Sequence, residues 1–120
     1  MNHAYKAARR ALKAHPDCEA IMVNADPFAA LLVGARLSRE TGLPLIQDLR
    51  DPWSICDLRR PRRPLGVRGF VDRLEYRAFK AASRIIVNSE TALEGYRSHY
   101  ANRIAPGDFC RIRNHHDAAL

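Results

Sequence analysis

Apolar residues recur along this chain at two different spacings, and the two alternate. Between Ala4 and Ala14, Tyr5, Ala8 and Leu12 fall at helical spacing while Lys6, Arg9, Arg10 and Lys13 lie mostly elsewhere, which predicts an amphipathic helix ended by His15-Pro16-Asp17. Ala20 to Val23 is apolar at consecutive positions, the pattern of a short strand covered on both faces. Asp26-Pro27 reads as a helix start, because Asp caps free N–H groups and Pro suits the first helical position; helix then continues from Ala29 to Thr41, stopped by Gly42 and Pro44. The unit repeats. Pro44 to Asp48 is a second strand, residues 49–67 form a long Arg/Pro-rich loop, and Gly69 to Ala82 is a helix carrying Phe70, Val71, Leu74, Ala78 and Phe79. Arg84 to Asn88 is a third strand, Ser89 caps a last helix that runs to about His99, and Cys110 to Arg113 is a final edge strand in an exit segment spanning residues 101–120.

Strand and helix alternating in this way, with connections long enough for crossovers, predict an α/β fold: a parallel sheet with helices on both faces. Ligands of such sheets gather at the carboxyl ends of the strands. Those ends fall at Asn24 to Phe28, Asp48 to Trp53 and Asn88 to Thr91.

Composition narrows the class. The chain has 120 residues, 47% of them hydrophobic and 28% charged, so one globular domain or part of one is expected and two full domains are excluded. No run approaches the roughly 18 apolar residues of a membrane span, and the N-terminus has no apolar stretch after its basic residues, so neither a transmembrane helix nor a secretory signal is expected. The cytoplasm is the expected compartment, with peripheral attachment at the inner face of the membrane as an addition. Cys18, Cys56 and Cys110 are widely spaced and odd in number, which favours reduced thiols acting as packing residues over a disulfide or zinc framework.

The run Gln47-Asp48-Leu49-Arg50-Asp51-Pro52-Trp53 gathers two carboxylates, a guanidinium and an indole at a strand's carboxyl end. A carboxylate there can act as a base, accept sugar hydroxyls or orient Arg50, and Trp53 offers an apolar face for a sugar ring or lipid; an Asp–Arg pair that merely holds the loop is the competing reading. Ser89 and Glu90 at a helix start can bind an anion, although a cap serine serves its own helix in the same way.

These residues carry a family resemblance. Asn24 to Phe28, Leu37 to Trp53, Ala82 to Glu90, Tyr96 to Tyr100 and Arg111 to Asp117 together resemble the N-terminal, acceptor-side domain of family 4 glycosyltransferases, over about residues 15–117. The Asp-Leu-Arg-Asp-Pro-Trp run is the specific part. The resemblance implies half of a GT-B architecture, a Rossmann-like unit whose first strand and glycine-rich loop are missing and whose partner, a C-terminal donor-binding domain, follows it in the intact protein. It further implies transfer of a glycosyl group, with retention, from a nucleotide sugar to a hydroxyl on a sugar or lipid-linked acceptor. Asp48, Arg50, Asp51 and Trp53 would line the acceptor cleft with Ser89 and Glu90, and the piece alone would be inactive and bind no cofactor. Two positions depart from the family pattern: Phe28 stands in a loop that often carries a histidine, and His115 stands where a glycine is usual.

The net charge of +7 brings in the remaining chemistry. Arg59, Arg60, Arg62 and Arg63 could contact phosphate on a lipid acceptor or an anionic membrane, which gives the alternative function of a basic module docking on anionic lipid or a partner protein. Seventeen of the 20 basic residues are arginine, so a solvated loop explains the cluster equally well. Interleaved aromatics and a basic reading helix are both missing, so nucleic acid is not an expected partner. Adjacent His115 and His116 on a strand point to opposite faces, so no metal site is expected. An α/β sheet without its first strand leaves an open edge and apolar surface, which predicts marginal stability or self-association.

Overall fold

A computed structural model describes residues 1–114. The elements are α1 (Asn2–Ala14), β1 (Ile21–Asn24), α2 (Ala29–Thr41), β2 (Leu45–Leu49), α3 (Leu65–Lys80), β3 (Arg84–Val87), α4 (Glu90–His99), a short 3-10 turn at Pro106–Asp108, and β4 (Phe109–Arg111). The fold is α/β and Rossmann-like, with four parallel strands in the order β1-β2-β3-β4 flanked by helices.

Register explains where the core lies. Val23, Gln47, Ile85 and Phe109 are successive partners across the sheet and therefore share one face. Gln47 Nε2 on that face donates to the carbonyls of Leu31 in α2 and Ala78 in α3, and Phe109 stacks on Tyr96 of α4. Crossovers of one hand that always step in the same direction bring successive helices to the same side, and the strand order is sequential. On the opposite face the row Asn24, Asp48, Ile86, Cys110 contains only one buried side chain, Asp48, and Met22 beside it is 63% exposed.

Close packing of α2 on the sheet depends on Gly34. A Cβ there would lie 2.5 Å from Val23 Cγ2 and 3.1 Å from Leu45 Cδ1. At the far end of the domain, Phe79 meets Tyr96, Tyr100 and Phe109 edge-on, joining α3, α4 and β4 into one aromatic cluster.

Several boundaries differ from the sequence reading. Helix α3 begins at Leu65 rather than Gly69, because Pro64 at φ −55° and ψ 151° leads straight into it and Gly66 and Gly69 are accommodated inside. A helical glycine costs only about 1 kcal/mol, too little to stop a helix anchored further along. Asp26-Pro27 does not cap α2; Phe28 occupies the N-cap position, no side chain caps it, and the entry is a tight turn in which Ala30 N–H donates to the Pro27 carbonyl at 2.9 Å. Strand β4 starts at Phe109, one residue before the expected Cys110, and ends at Arg111. Cys18 is exposed and so is not a packing residue of the core, whereas Cys56 and Cys110 are half-buried. Gly42 at φ 74° ends α2 and the Ser89 hydroxyl accepts from Ala92 N–H at 3.2 Å, as the local pattern requires.

Candidate functional site

Strand β2 delivers Asp48 to the carboxyl edge of the sheet, where the residue is 4% exposed and its side chain pairs with Arg50 at 3.1 Å. Arg50 also donates to Asn114 Oδ1 at the end of the described chain. Asp51, the next carboxylate, is exposed. The chain then turns inward, and the turn is held by a polar hub that comes from two helices. Glu75 of α3 is fully buried and accepts from Ser54 N–H at 3.0 Å, from the Ser54 hydroxyl, from Tyr96 Oη at 2.9 Å and from Tyr100 Oη at 2.6 Å. Tyr96 Oη in turn accepts the Trp53 backbone N–H at 2.8 Å.

Charge follows burial in this hub. Burial raises the Glu75 carboxyl above its ordinary value even though four donors face it, and burial beside Glu75 pushes both tyrosine hydroxyls up. The two phenols therefore remain donors throughout the neutral range. Burial also works against charge on Asp72, but the Arg60 guanidinium bonded to it holds that carboxyl below its ordinary value.

The expected site residues divide into groups. Asp48 and Arg50 are together, with Asp51 beside them on the solvent side. Trp53 is close in sequence but turns its ring onto Phe28, with centroids 5.2 Å apart and planes within 4°, and Arg59 lies 5.7 Å from the centre of the Phe28 ring. Ser89 opens onto a cleft of about 300 Å³ shared with Pro52, Ile55, Cys56, Asp57, Thr91 and Gly95. A Cβ on Gly95 would come within 2.8 Å of Ile55 Cδ1, so α4 sits directly against the loop. Glu90 turns toward the sheet edge and pairs with Arg111 of β4 at 2.7 Å.

The arginine cluster also divides. Arg60 forks onto Asp72 at 2.8 and 3.1 Å and donates to the Ser54 carbonyl, Arg63 donates to the Trp53 carbonyl, and Arg68 donates to the carbonyls of Arg63 and Pro61. These three brace the loop. Arg59 and Arg62 are exposed and make no ion pair among the described residues.

No protein-family model matches this chain, and neither a curated protein nor a solved structure matches it significantly. The site must therefore be read from its own chemistry. Among the described residues no group of three His, Cys, Asp or Glu side chains is placed to hold a metal ion, and His115 and His116 lie outside those residues. No described helix is long and apolar enough to cross a membrane.

Glu75 is the residue the sequence reading missed, although a signal was present. It stands four residues after Val71 and four before Phe79, so it lies on the apolar stripe of its helix, where a carboxylate must find donors. Tyr96 and Tyr100, also four apart, supply two of them.

Proposed function

We propose that this chain is the acceptor-side piece of a nucleotide-sugar-dependent glycosyltransferase, inactive by itself, in which a second domain holds the donor. The observation that carries the reading is the loop from Gln47 to Trp53, which presents the Asp48–Arg50 pair and exposed Asp51 at the carboxyl edge of a parallel sheet, next to the cleft under Ser89. Carboxylates accept hydrogen bonds from sugar hydroxyls, and the Asp48–Arg50 pair together with the Glu75 hub holds the loop in place before an acceptor arrives. In the intact enzyme the bond from the sugar to the nucleotide breaks, a bond to the acceptor oxygen forms, and the hydroxyl proton leaves toward the departing phosphate or a nearby base. Asp51 is the group best exposed to hold that hydroxyl. Trp53, stacked on Phe28, contributes a rigid wall rather than a free stacking face.

Saturation-transfer NMR of the chain with a panel of simple glycosides tests the reading. Expected are weak contacts to one glycoside class that disappear in Asp51→Ala, together with no consumption of nucleotide sugar by the chain alone. Absence of contact with every glycoside, or contacts indifferent to Asp51→Ala, would overturn it.

A further inference from the structure

Four of the seven large apolar side chains exposed among the described residues lie within one short stretch: Leu58 at 76%, Leu65 at 79%, Val67 at 44% and Phe70 at 61%. The stretch runs from the end of the β2 loop into the first turns of α3. There the helix is exposed on nearly every side, since Leu65, Gly66, Val67, Gly69 and Phe70 are all open and only Arg68 is half-buried. A helix end exposed on nearly every side, and braced against the preceding loop through Arg68, projects from the body of the domain. Further along the same helix, Glu75, Ala78 and Phe79 are buried, so the projecting end stands on a rigid base.

Charge is as one-sided as the apolar surface. Between exposed Asp57 and Asp72, which pairs with Arg60, there are five arginines and no acidic residue. Arg60, Arg63 and Arg68 are engaged in bracing the loop, which leaves exposed Arg62, and exposed Arg59 beside the Phe28 ring, as its outward cations.

We propose that this projecting end of α3 is a membrane-docking wedge: Leu58, Leu65, Val67 and Phe70 enter the interfacial layer of an anionic bilayer while Arg59 and Arg62 meet its phosphates. A projecting tip with apolar residues and arginines matches interfacial attachment, in which side chains enter the boundary of headgroups and acyl chains and cations sit above them. A protein groove would instead demand a complementary acidic cavity around a tip that is itself convex. The bracing arginines fix the wedge before it meets lipid, so little ordering opposes its attachment. The proposal differs from a purely electrostatic role of the arginine cluster, because the apolar side chains supply attachment that salt does not screen. It is independent of the reaction assigned to the carboxyl edge of the sheet.

Co-sedimentation with vesicles of phosphatidylcholine, with and without phosphatidylglycerol, at low and at physiological salt is the test. The chain is expected to bind the anionic vesicles, to bind neutral ones far less, and to keep part of its binding at the higher salt. The double variant Leu65→Ser with Phe70→Ser should lose about tenfold or more in vesicle affinity, the scale set by burying two large apolar side chains. Its thermal melting should be unchanged, since both residues are exposed. Arg59→Gln with Arg62→Gln should lower binding chiefly at low salt. A Phe70→Trp variant should shift its emission to the blue on anionic vesicles and be quenched by brominated acyl chains.

Three results would overturn the proposal. One is no binding to anionic vesicles at low salt. Another is binding untouched by the Leu65 and Phe70 changes but lost on neutralising Lys6, Arg9 and Arg10, which would move the contact to α1. The third is absence of vesicle binding together with self-association that the Leu65 and Phe70 changes abolish, which would make the tip a protein interface.

Discussion

Tyr96 Oη donates to Glu75 Oε2 at 2.9 Å while accepting the Trp53 N–H at 2.8 Å, so one phenol links the buried carboxylate of α3 to the backbone of the loop beyond β2. The shape of that loop therefore depends on a residue that touches no solvent. Replacing Glu75 with Ala strips four donors of their acceptor and should destabilise the domain by about 3 kcal/mol. Tyr96→Phe removes one link and leaves the Trp53 N–H unpaired, at a cost of about 1 to 2 kcal/mol. Urea unfolding followed by Trp53, the single tryptophan, measures both. A fully stable Glu75→Ala variant would mean that the hub does not hold the loop.

The raised carboxyl of Glu75 has a pH signature of definite sign. Native Glu75 keeps its proton at pH values where the unfolded chain, near the ordinary 4.5, has released it. Its contribution to stability is therefore greatest below that value and declines as pH rises, until the native carboxyl has ionised as well. Asp72, held low beside Arg60, contributes in the opposite direction, its share being lost as pH falls. Subtracting the pH–stability profile of Glu75→Gln from that of the natural chain isolates the first slope. A difference that rises with pH would reverse the assignment.

Gly34→Ala probes the seat of α2 on the sheet. Alanine favours a helix by about 1 kcal/mol over glycine, but its methyl would meet the β-branched Val23 at 2.5 Å. The strand-borne methyl has little room to move, so a net loss of about 1 to 3 kcal/mol is expected. Adding Val23→Ala should recover part of it. Thermal unfolding of the two single variants and the double variant decides the point through their coupling.

Arg60→Gln removes the fork onto Asp72 and the bond to the Ser54 carbonyl. The pair is partly solvated, so the global cost is small, about 1 kcal/mol. The local effect is larger. Amide hydrogen exchange over residues 51–64 should speed up markedly while the strands stay protected, and unchanged exchange would show that Arg63 and Arg68 suffice to brace the loop.

Much of the architecture was legible because it rests on short-range physics. Alternating apolar runs fixed the order of strands and helices, and Gly42 and Ser89 marked helix ends through backbone conformation and a side-chain cap that neighbours alone provide. The start of α3 was not legible. Two glycines looked like breakers, whereas the helix is set by its buried second half at Glu75, Ala78 and Phe79. The roles of the arginines were equally hidden: Arg59 through Arg63 read as one cluster, yet Arg60 and Arg63 turn to Asp72 and the Trp53 carbonyl while Arg59 and Arg62 face solvent.

By itself, then, the sequence determined the α/β class, the parallel alternation and the place of the carboxyl-edge loop, since each follows from periodicity and local caps. Tertiary structure alone decided that Glu75 would be a hub, because its donors come from residues 21 and 25 positions away that only folding brings together. It also decided that the apolar residues at the start of α3 would project instead of packing. Periodicity records that a side chain is apolar; whether a neighbour covers it is settled by where the other elements end.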